Sequence, residues 1–395
     1  MPSGLAWLDA LGPQRIRPGL AKTRALLACL ARPETSFRSI LVGGTNGKGS
    51  TAAATASILR EAGVRAGLYT SPHLVRVNER IRVDGADVSD AELDDVLSLL
   101  AAISPAGERA PTYFEAITVA AFELFRRARV TAAVVEVGLG GRLDATNVLQ
   151  PEVSVVTNVG LDHVAVLGPT LADIAREKAG IFRSGQPALT AAEGEPLDVL
   201  HAEARRVGAR LIEVPASERF DDVSPLPGVH QRKNLALAAA AAGALVPLSF
   251  DVVRAGVAAT RWPGRLQSVR REGRELLLDG AHNPDGARAL AAHLDASGLA
   301  GRVDLVFGGL SDKALEEMFA VLSPRVRRVL VVAPDSPRAV PAGELARRLG
   351  LEGAAAAADL AAAIARLDAS AEREGPILVT GSLVLVGDAL RLCAA

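Results

Sequence analysis

The chain is 395 residues long, 49% apolar, 3% aromatic and 23% charged, with a formal net charge of −1. Near-balanced charge argues against a basic surface for nucleic acid, and no run of about 18 uncharged apolar residues is present to cross a membrane. Cys29 and Cys393 are too few for a disulfide framework or a cysteine metal site.

Such a length makes two domains the expectation. The opening residues lack a basic-then-apolar export pattern, which makes the cytoplasm the expected compartment. In chain order, apolar runs at 39–42, 66–69, 132–137, 153–158 and 186–190 read as strands. Residues 51–62, 90–103, 112–129 and 171–179 read as helices. Continuous Val/Ile/Leu strands alternating with helices predict an α/β fold, a parallel sheet covered on both faces. Ligands of such sheets sit beyond the carboxyl ends of the strands. There the first strand runs into Val42-Gly43-Gly44-Thr45-Asn46-Gly47-Lys48-Gly49-Ser50-Thr51 and then a helix. Glycines let backbone N–H groups approach phosphate oxygens, the helix N-terminus adds positive potential, Lys48 supplies a point charge, and Ser50 or Thr51 can reach a metal ion. The string departs from G-x-x-x-x-G-K-[ST]: Val42 stands at the first Gly, and Gly49 separates Lys48 from Ser50. Residues 136–147 and 158–163 also fall at strand carboxyl ends and are expected in the same crevice.

A break falls at Arg261-Trp262-Pro263-Gly264-Arg265. Beyond it the alternation restarts, with strands at 275–279, 302–307, 326–332 and 376–380 and helices at 284–296, 313–322 and 342–349. The Ala-rich run 353–363 reads as a connection plus a helix. The expected division is 1–262, a P-loop-type nucleotide-binding domain, and 263–395, a smaller Rossmann-like α/β domain.

Only five of the 44 basic residues are lysines: Lys22, Lys48, Lys178, Lys233 and Lys313. In an Arg-biased chain a retained lysine marks a place where an amine is needed, or chance. Taken alone, Lys178 also reads as a helix lysine paired with Glu177 or Asp173.

The string Gly44-Thr45-Asn46-Gly47-Lys48-Gly49-Ser50-Thr51 resembles the nucleotide loop of the Mur-type ligases. Further strings in the same order resemble their folate branch, the dihydrofolate synthase/folylpolyglutamate synthase family. These are Tyr69-Thr70-Ser71-Pro72-His73-Leu74, Tyr113-Phe114-Glu115, Glu136 to Asn147, Leu161-Asp162-His163, Arg176-Glu177-Lys178-Ala179-Gly180-Ile181, Pro263-Gly264-Arg265, Asp279-Gly280-Ala281-His282-Asn283-Pro284 and Gly381-Ser382-Leu383. The resemblance implies an ATP-dependent amide ligase in which a carboxylate takes the γ-phosphate of ATP and L-glutamate then attacks the acyl phosphate. Dihydropteroate and reduced folates are the implied acids. A single activity, dihydrofolate synthesis or polyglutamylation alone, or another Mur-type acid, stays open beside the bifunctional reading.

The same resemblance assigns Thr45, Asn46, Gly47, Lys48, Gly49, Ser50 and Thr51 to the ATP phosphates and Asn234 to the adenine. Arg265 becomes a phosphate clamp, and Asp279 completes the ATP contacts. It puts Ser71, Glu136 and His163 near Mg²⁺, a hard ion that takes oxygen ligands, and makes Lys178 a carbamylated lysine. Lys48, Lys178 and His282 are the implied catalytic residues, His282 facing the phosphate or the incoming glutamate. Thr112, Tyr113, Phe114, Glu115 and Arg142, Leu143, Asp144, Ala145 are the implied pterin/folate-binding segments, with Phe114 stacking on the pterin and Arg142 pairing with the acid's carboxylate. Phe114 reads equally as core, Asn234 as a helix-end polar residue and Asp279 as a helix cap. Ile16-Arg17-Pro18 occupy the place of a third pterin-facing segment and depart from the family's sequence there. The implied first domain holds the ATPase and folate sites, the second the glutamate-ligase function, and closure over the nucleotide excludes water. The family suggests a monomer, and a monovalent cation stays open with no residue named for it.

Overall fold

The computed structural model describes residues 3–12, 17–369 and 375–394. They divide into two compact units: 1–73, 77–225 and 231–261 make the first, and 74–76, 226–230 and 262–395 the second. Ile16 lies outside the described residues.

The first unit is built on β1 (Arg38–Gly43), β2 (Ala66–Tyr69), β3 (Ile81–Val83), β4 (Ala86–Asp87), β5 (Ala132–Glu136), β6 (Val153–Val156), β7 (Pro187–Thr190) and β8 (Arg210–Glu213). Their order in the sheet is β4-β3-β2-β5-β1-β6-β7-β8. The six strands from β2 to β8 pair in parallel, and β3 and β4 add an antiparallel edge. Central strands are buried along most of their length, as the apolar runs require, because helices cover both faces. Edge strand β8 is mostly exposed, so it carries no continuous apolar run and escapes a pattern search.

Register fixes where the chemistry goes. Val42 pairs with Glu136, Gly43 with Val156 and Tyr69 with Val135. The carboxyl ends of β1, β2, β5 and β6 therefore form one rim, and the loops after them begin together. The helix after β1 spans Lys48–Glu61, three residues earlier than the expected start at Thr51. The early start follows from Gly47, whose left-handed φ of 83° lets the chain turn straight into the helix. A second Ala-rich stretch, 236–242, lies in the helix Gln231–Leu245.

The second unit carries β9 (Gln267–Arg271), β10 (Arg274–Leu278), β11 (Val303–Phe307), β12 (Val326–Val331) and β13 (Ile377–Thr380) in the order β12-β11-β13-β10-β9. β9 is antiparallel and the rest are parallel. Side chains alternate between two cores: Leu277, Leu305, Phe307 and Leu378 enter one, and Leu276, Leu278, Val306, Ile377 and Val379 the other. Leu74 packs against the second of these cores. A Cβ on Gly387 would meet the Leu74 carbonyl oxygen at 2.1 Å, so only glycine admits that strap. Among the described residues no helix is long and apolar enough to cross a membrane.

Candidate active site

The nucleotide loop is held from outside by the turn after β6. Asn158 Oδ1 accepts the N–H groups of Asn46 (2.8 Å) and Thr45 (3.2 Å). Thr157 Oγ1 donates to the Asn46 carbonyl at 2.6 Å. Thr45 Oγ1 donates to the Gly160 carbonyl and accepts the Gly160 N–H, at 3.1 and 3.0 Å. Gly44 has a φ of 137°, and a Cβ there would sit 1.9 Å from Thr157 Oγ1. The first N–H groups of the helix Lys48–Glu61 have no intrahelical partner, which suits them to an anion. Gly49 and Ser50 lie in this first turn and are buried. Thr51 Oγ1 is buried with no hydrogen-bond partner. Asn234 abuts the loop: a Cβ on Gly47 would lie 2.2 Å from its Oδ1, and its Nδ2 donates to Gln231 Oε1 at 2.9 Å.

Two lysines converge on one carbonyl oxygen. Lys178 Nζ donates to the Gly44 carbonyl at 2.8 Å, and Lys48 Nζ donates to the same oxygen at 3.2 Å and to the Thr45 carbonyl at 3.1 Å. Lys178 is 3% exposed. Burial, then the nearby positive charge of Lys48, lowers its pKa to about 7, partly offset by Asp162. The amine is therefore substantially neutral at physiological pH. The simple pairing of Lys178 with Glu177 or Asp173 does not occur: Glu177 takes Arg142, and Asp173 takes Thr170 and Arg176.

Glu136 ends β5 and is 4% exposed. Its Oε2 accepts the Ser71 N–H at 3.0 Å, tying the loop after β2 to the loop rim. His163 holds a left-handed φ of 51° uncommon outside glycine, with Nε2 3.8 Å from Asp162 Oδ1. Among the described residues there is no ready-made cluster of three His, Cys, Asp or Glu side chains for a metal. The buried Glu136 carboxylate and the unpartnered Thr51 hydroxyl are hard oxygen donors and fit a divalent ion that takes further ligands from phosphate and water.

The implied acceptor-facing residues turn out to be heavily engaged with the protein itself. Thr112 and Glu115 form a reciprocal cap on the helix Tyr113–Arg127: Thr112 N–H meets Glu115 Oε2 at 2.7 Å, and Glu115 N–H meets Thr112 Oγ1 at 3.2 Å. Asp144 is buried, accepting from Leu139 N–H (2.8 Å), Thr146 N–H (3.0 Å) and Thr146 Oγ1 (2.5 Å). Burial raises its pKa, and those bonds oppose the rise. Arg142 gives Nε and Nη2 to Glu177 Oε1 at 3.0 and 2.7 Å. Ala145 is buried. The Leu143 carbonyl accepts Gly19 N–H at 3.1 Å, and Arg17 Nη1 donates to the Glu108 carbonyl at 3.0 Å. Phe114 is partly buried against the core, 6.2 Å from the Tyr69 ring and against the Gly138 backbone.

One residue of this region was not singled out in the sequence. Arg80 is 8% exposed, donates Nε to His73 Nδ1 at 2.9 Å, and lies 5.3 Å over the Tyr113 ring. An arginine in an Arg-rich chain gives no signal by type; its place just after the Ser71 loop was the clue available.

In the second unit, Arg265, Asp279 and His282 lie together at the carboxyl end of β10. Asp279 Oδ2 accepts Leu266 N–H and Oδ1 accepts Ala281 N–H, each at 3.0 Å. Asp279 therefore pins two turns and is not a helix cap; Asn283 caps the helix Pro284–Ala296 through Gly286 N–H. Arg265 Nη1 donates to the Gly264 carbonyl at 3.0 Å, and His282 Nδ1 meets the Gly280 carbonyl at 2.9 Å. His230 and His293 also feel the Asp279 charge, and burial lowers both their pKa values.

Comparison with known proteins agrees with this geometry. Residues 42–194 match the Mur ligase middle domain, and 264–383 match the Mur ligase, glutamate ligase domain. The chain is 34% identical to a Bacillus subtilis protein named dihydrofolate synthase/folylpolyglutamate synthase, over 97% of this chain and 96% of that one. A Mycobacterium tuberculosis folylpolyglutamate synthase solved with ADP superposes with a TM-score of 0.90, at 34% identity, covering 99% of this chain and 97% of that one. A bifunctional folylpolyglutamate synthase/dihydrofolate synthase solved with Mn, AMPPNP and L-glutamate gives a TM-score of 0.87 at 33% identity, covering 100% and 99%.

Proposed function

The chain belongs to the dihydrofolate synthase/folylpolyglutamate synthase branch of the Mur ligase family, and we propose from that footing that it adds L-glutamate to dihydropteroate and to reduced folates. It is an ATP-dependent acid–amino-acid ligase. The observation that carries the reading is the meeting of Lys48 and Lys178 on the Gly44 carbonyl, at the rim shared with Glu136 and Ser71.

A carboxylate oxygen of the acceptor attacks the γ-phosphorus of ATP, and ADP leaves. The glutamate nitrogen then attacks the acyl carbon, phosphate leaves, and the nitrogen loses a proton. The protein supplies position and countercharge, because charge spreads over the transferring phosphoryl group. Lys48 and the first N–H groups of its helix hold the phosphate oxygens in this reading. Glu136, Ser71, His163 and the Thr51 hydroxyl hold a divalent ion, which we take as Mg²⁺ and which neutralises phosphate oxygens when bound. Lys178, with a pKa of about 7 and so present in good part as the neutral amine at physiological pH, can add CO₂ through its nitrogen and release a proton, giving a carbamate. That puts a negative charge where an amine stood, beside the metal ligands. Asn234 is assigned to the adenine, Arg265 and Asp279 to ATP, and His282 to the second half-reaction, on the family pattern. We take the working species to be a monomer.

An ADP-release assay tests the reading. Steady release is expected only with dihydropteroate, or a reduced folate, and L-glutamate together. Release that ignores both the acceptor and glutamate overturns it, and separate trials of the two acceptors decide between two activities and one.

A further inference from the structure

Arg142 lies within one of the segments assigned to the acceptor and Arg80 over Tyr113 of the other, and they stand in opposite conditions. Arg142 is exposed over 57% of its side chain, and its fork is taken by Glu177. Arg80 is 8% exposed, and among the described residues its side chain makes one hydrogen bond, from Nε to His73 Nδ1. Among the described residues no carboxylate pairs with it. The Tyr113 face below the guanidinium offsets part of the lost hydration, but gives the terminal nitrogens no acceptor. A guanidinium stays charged at any physiological pH. The two terminal nitrogens of this largely buried side chain have no protein acceptor among the described residues and are not fully enclosed, so the fork is open to an anion.

The neighbourhood limits what that anion is. Tyr113 and the partly buried Phe114, with the fully buried Tyr69 behind them, give this corner an aromatic lining. His73 follows two residues after Ser71, whose N–H holds Glu136. Arg80 therefore touches the aromatic cluster on one side and, through His73, the loop that carries Ser71 on the other. An acid with an aromatic body and a carboxylate end spans that interval. We propose that Arg80, not Arg142, anchors a carboxylate of the acceptor through its Nη1 and Nη2 fork. The inference rests on the functional reading above and sharpens its substrate side. Arg80 is a binding residue in this account, and His73 positions it.

A double comparison tests it. Dihydropteroate and the same molecule lacking its carboxyl group are titrated calorimetrically into wild-type protein, Arg80→Gln and Arg80→Lys. Wild type is expected to prefer the acid by about 10- to 100-fold, the usual range for a hydrogen bond to a charged group. Arg80→Gln is expected to lose that preference while binding of the decarboxylated compound and the KM for ATP stay unchanged. Arg80→Lys is expected to keep part of it. Equal weakening of both compounds by Arg80→Gln would mean that Arg80 only braces the loop, and overturns the inference; so does an intact preference. A wild-type protein that releases no ADP with any acceptor instead strikes the functional reading beneath.

Discussion

Two stretches of the same rim treat their polar groups in opposite ways. Around Gly44–Thr51 the protein leaves capacity unspent: helix N–H groups face no intrahelical partner, Thr51 Oγ1 has no acceptor, and Lys48 rests on carbonyls of its own loop. Around Thr112–Glu115 and Arg142–Ala145 the polar side chains are consumed by capping, by the Asp144 network and by Glu177. Motif residues can thus be present for the scaffold as well as for the ligand. In the proposed reading the first stretch offers a ligand backbone donors and spare charge, and the second mainly shape, with the Arg80 fork open beside it.

The contrast can be broken at several points, the largest effect first. Lys48→Ala is expected to lower kcat by at least about 100-fold, as loss of a preorganised countercharge does, with thermal stability unchanged; near-normal ADP release would sink the assignment. Lys178→Arg keeps a positive charge but cannot form the carbamate, and is expected to fail nearly as badly in the same assay. An active variant removes the carbamate argument.

Lys178 also predicts a pH effect on stability. Between pH 7 and 10.5 the unfolded chain, with an ordinary lysine, binds more protons than the folded one. Unfolding free energy therefore gains up to about 1 kcal/mol per pH unit across that window. Melting of wild type against Lys178→Met in CO₂-free buffer reads it: the wild type should gain on the variant from pH 7 to 9. A difference that does not change with pH contradicts the buried, neutral amine. Smaller still, Thr112→Ala should cost about 1 kcal/mol of stability through the lost cap, with little change in the KM for the acceptor. Arg142→Ala should cost less than about 1 kcal/mol, its ion pair being exposed. A large rise in acceptor KM for Arg142→Ala alone would reverse the contrast with Arg80.

Legibility in the sequence followed burial. The central strands showed as apolar runs because both faces are covered, and the turn from β1 into the helix Lys48–Glu61 showed because its close backbone approaches demand glycine at 44 and 47. Edge strands β8 and β9 were missed: their exposure removes the apolar run. The straps 74–76 and 226–230 were illegible, since membership of the second unit depends on packing across long sequence separations. The capping role of Thr112 and Glu115 was readable in principle, as Thr-x-x-Glu before an apolar helix is the signature of that cap. Lys178 gave a sign by residue type in an arginine-biased chain, whereas Arg80 gave none for the same reason.

The oxygen shared by the two lysine side chains couples the charge of one to the other. A triphosphate that draws Lys48 off the Gly44 carbonyl removes the repulsion that helps keep its neighbour unprotonated, and adds negative charge besides. The remaining amine then grips its proton harder and becomes a poorer trap for dissolved CO₂. In the proposed reading, carbamate formation at Lys178 is thus easier before the triphosphate binds than after.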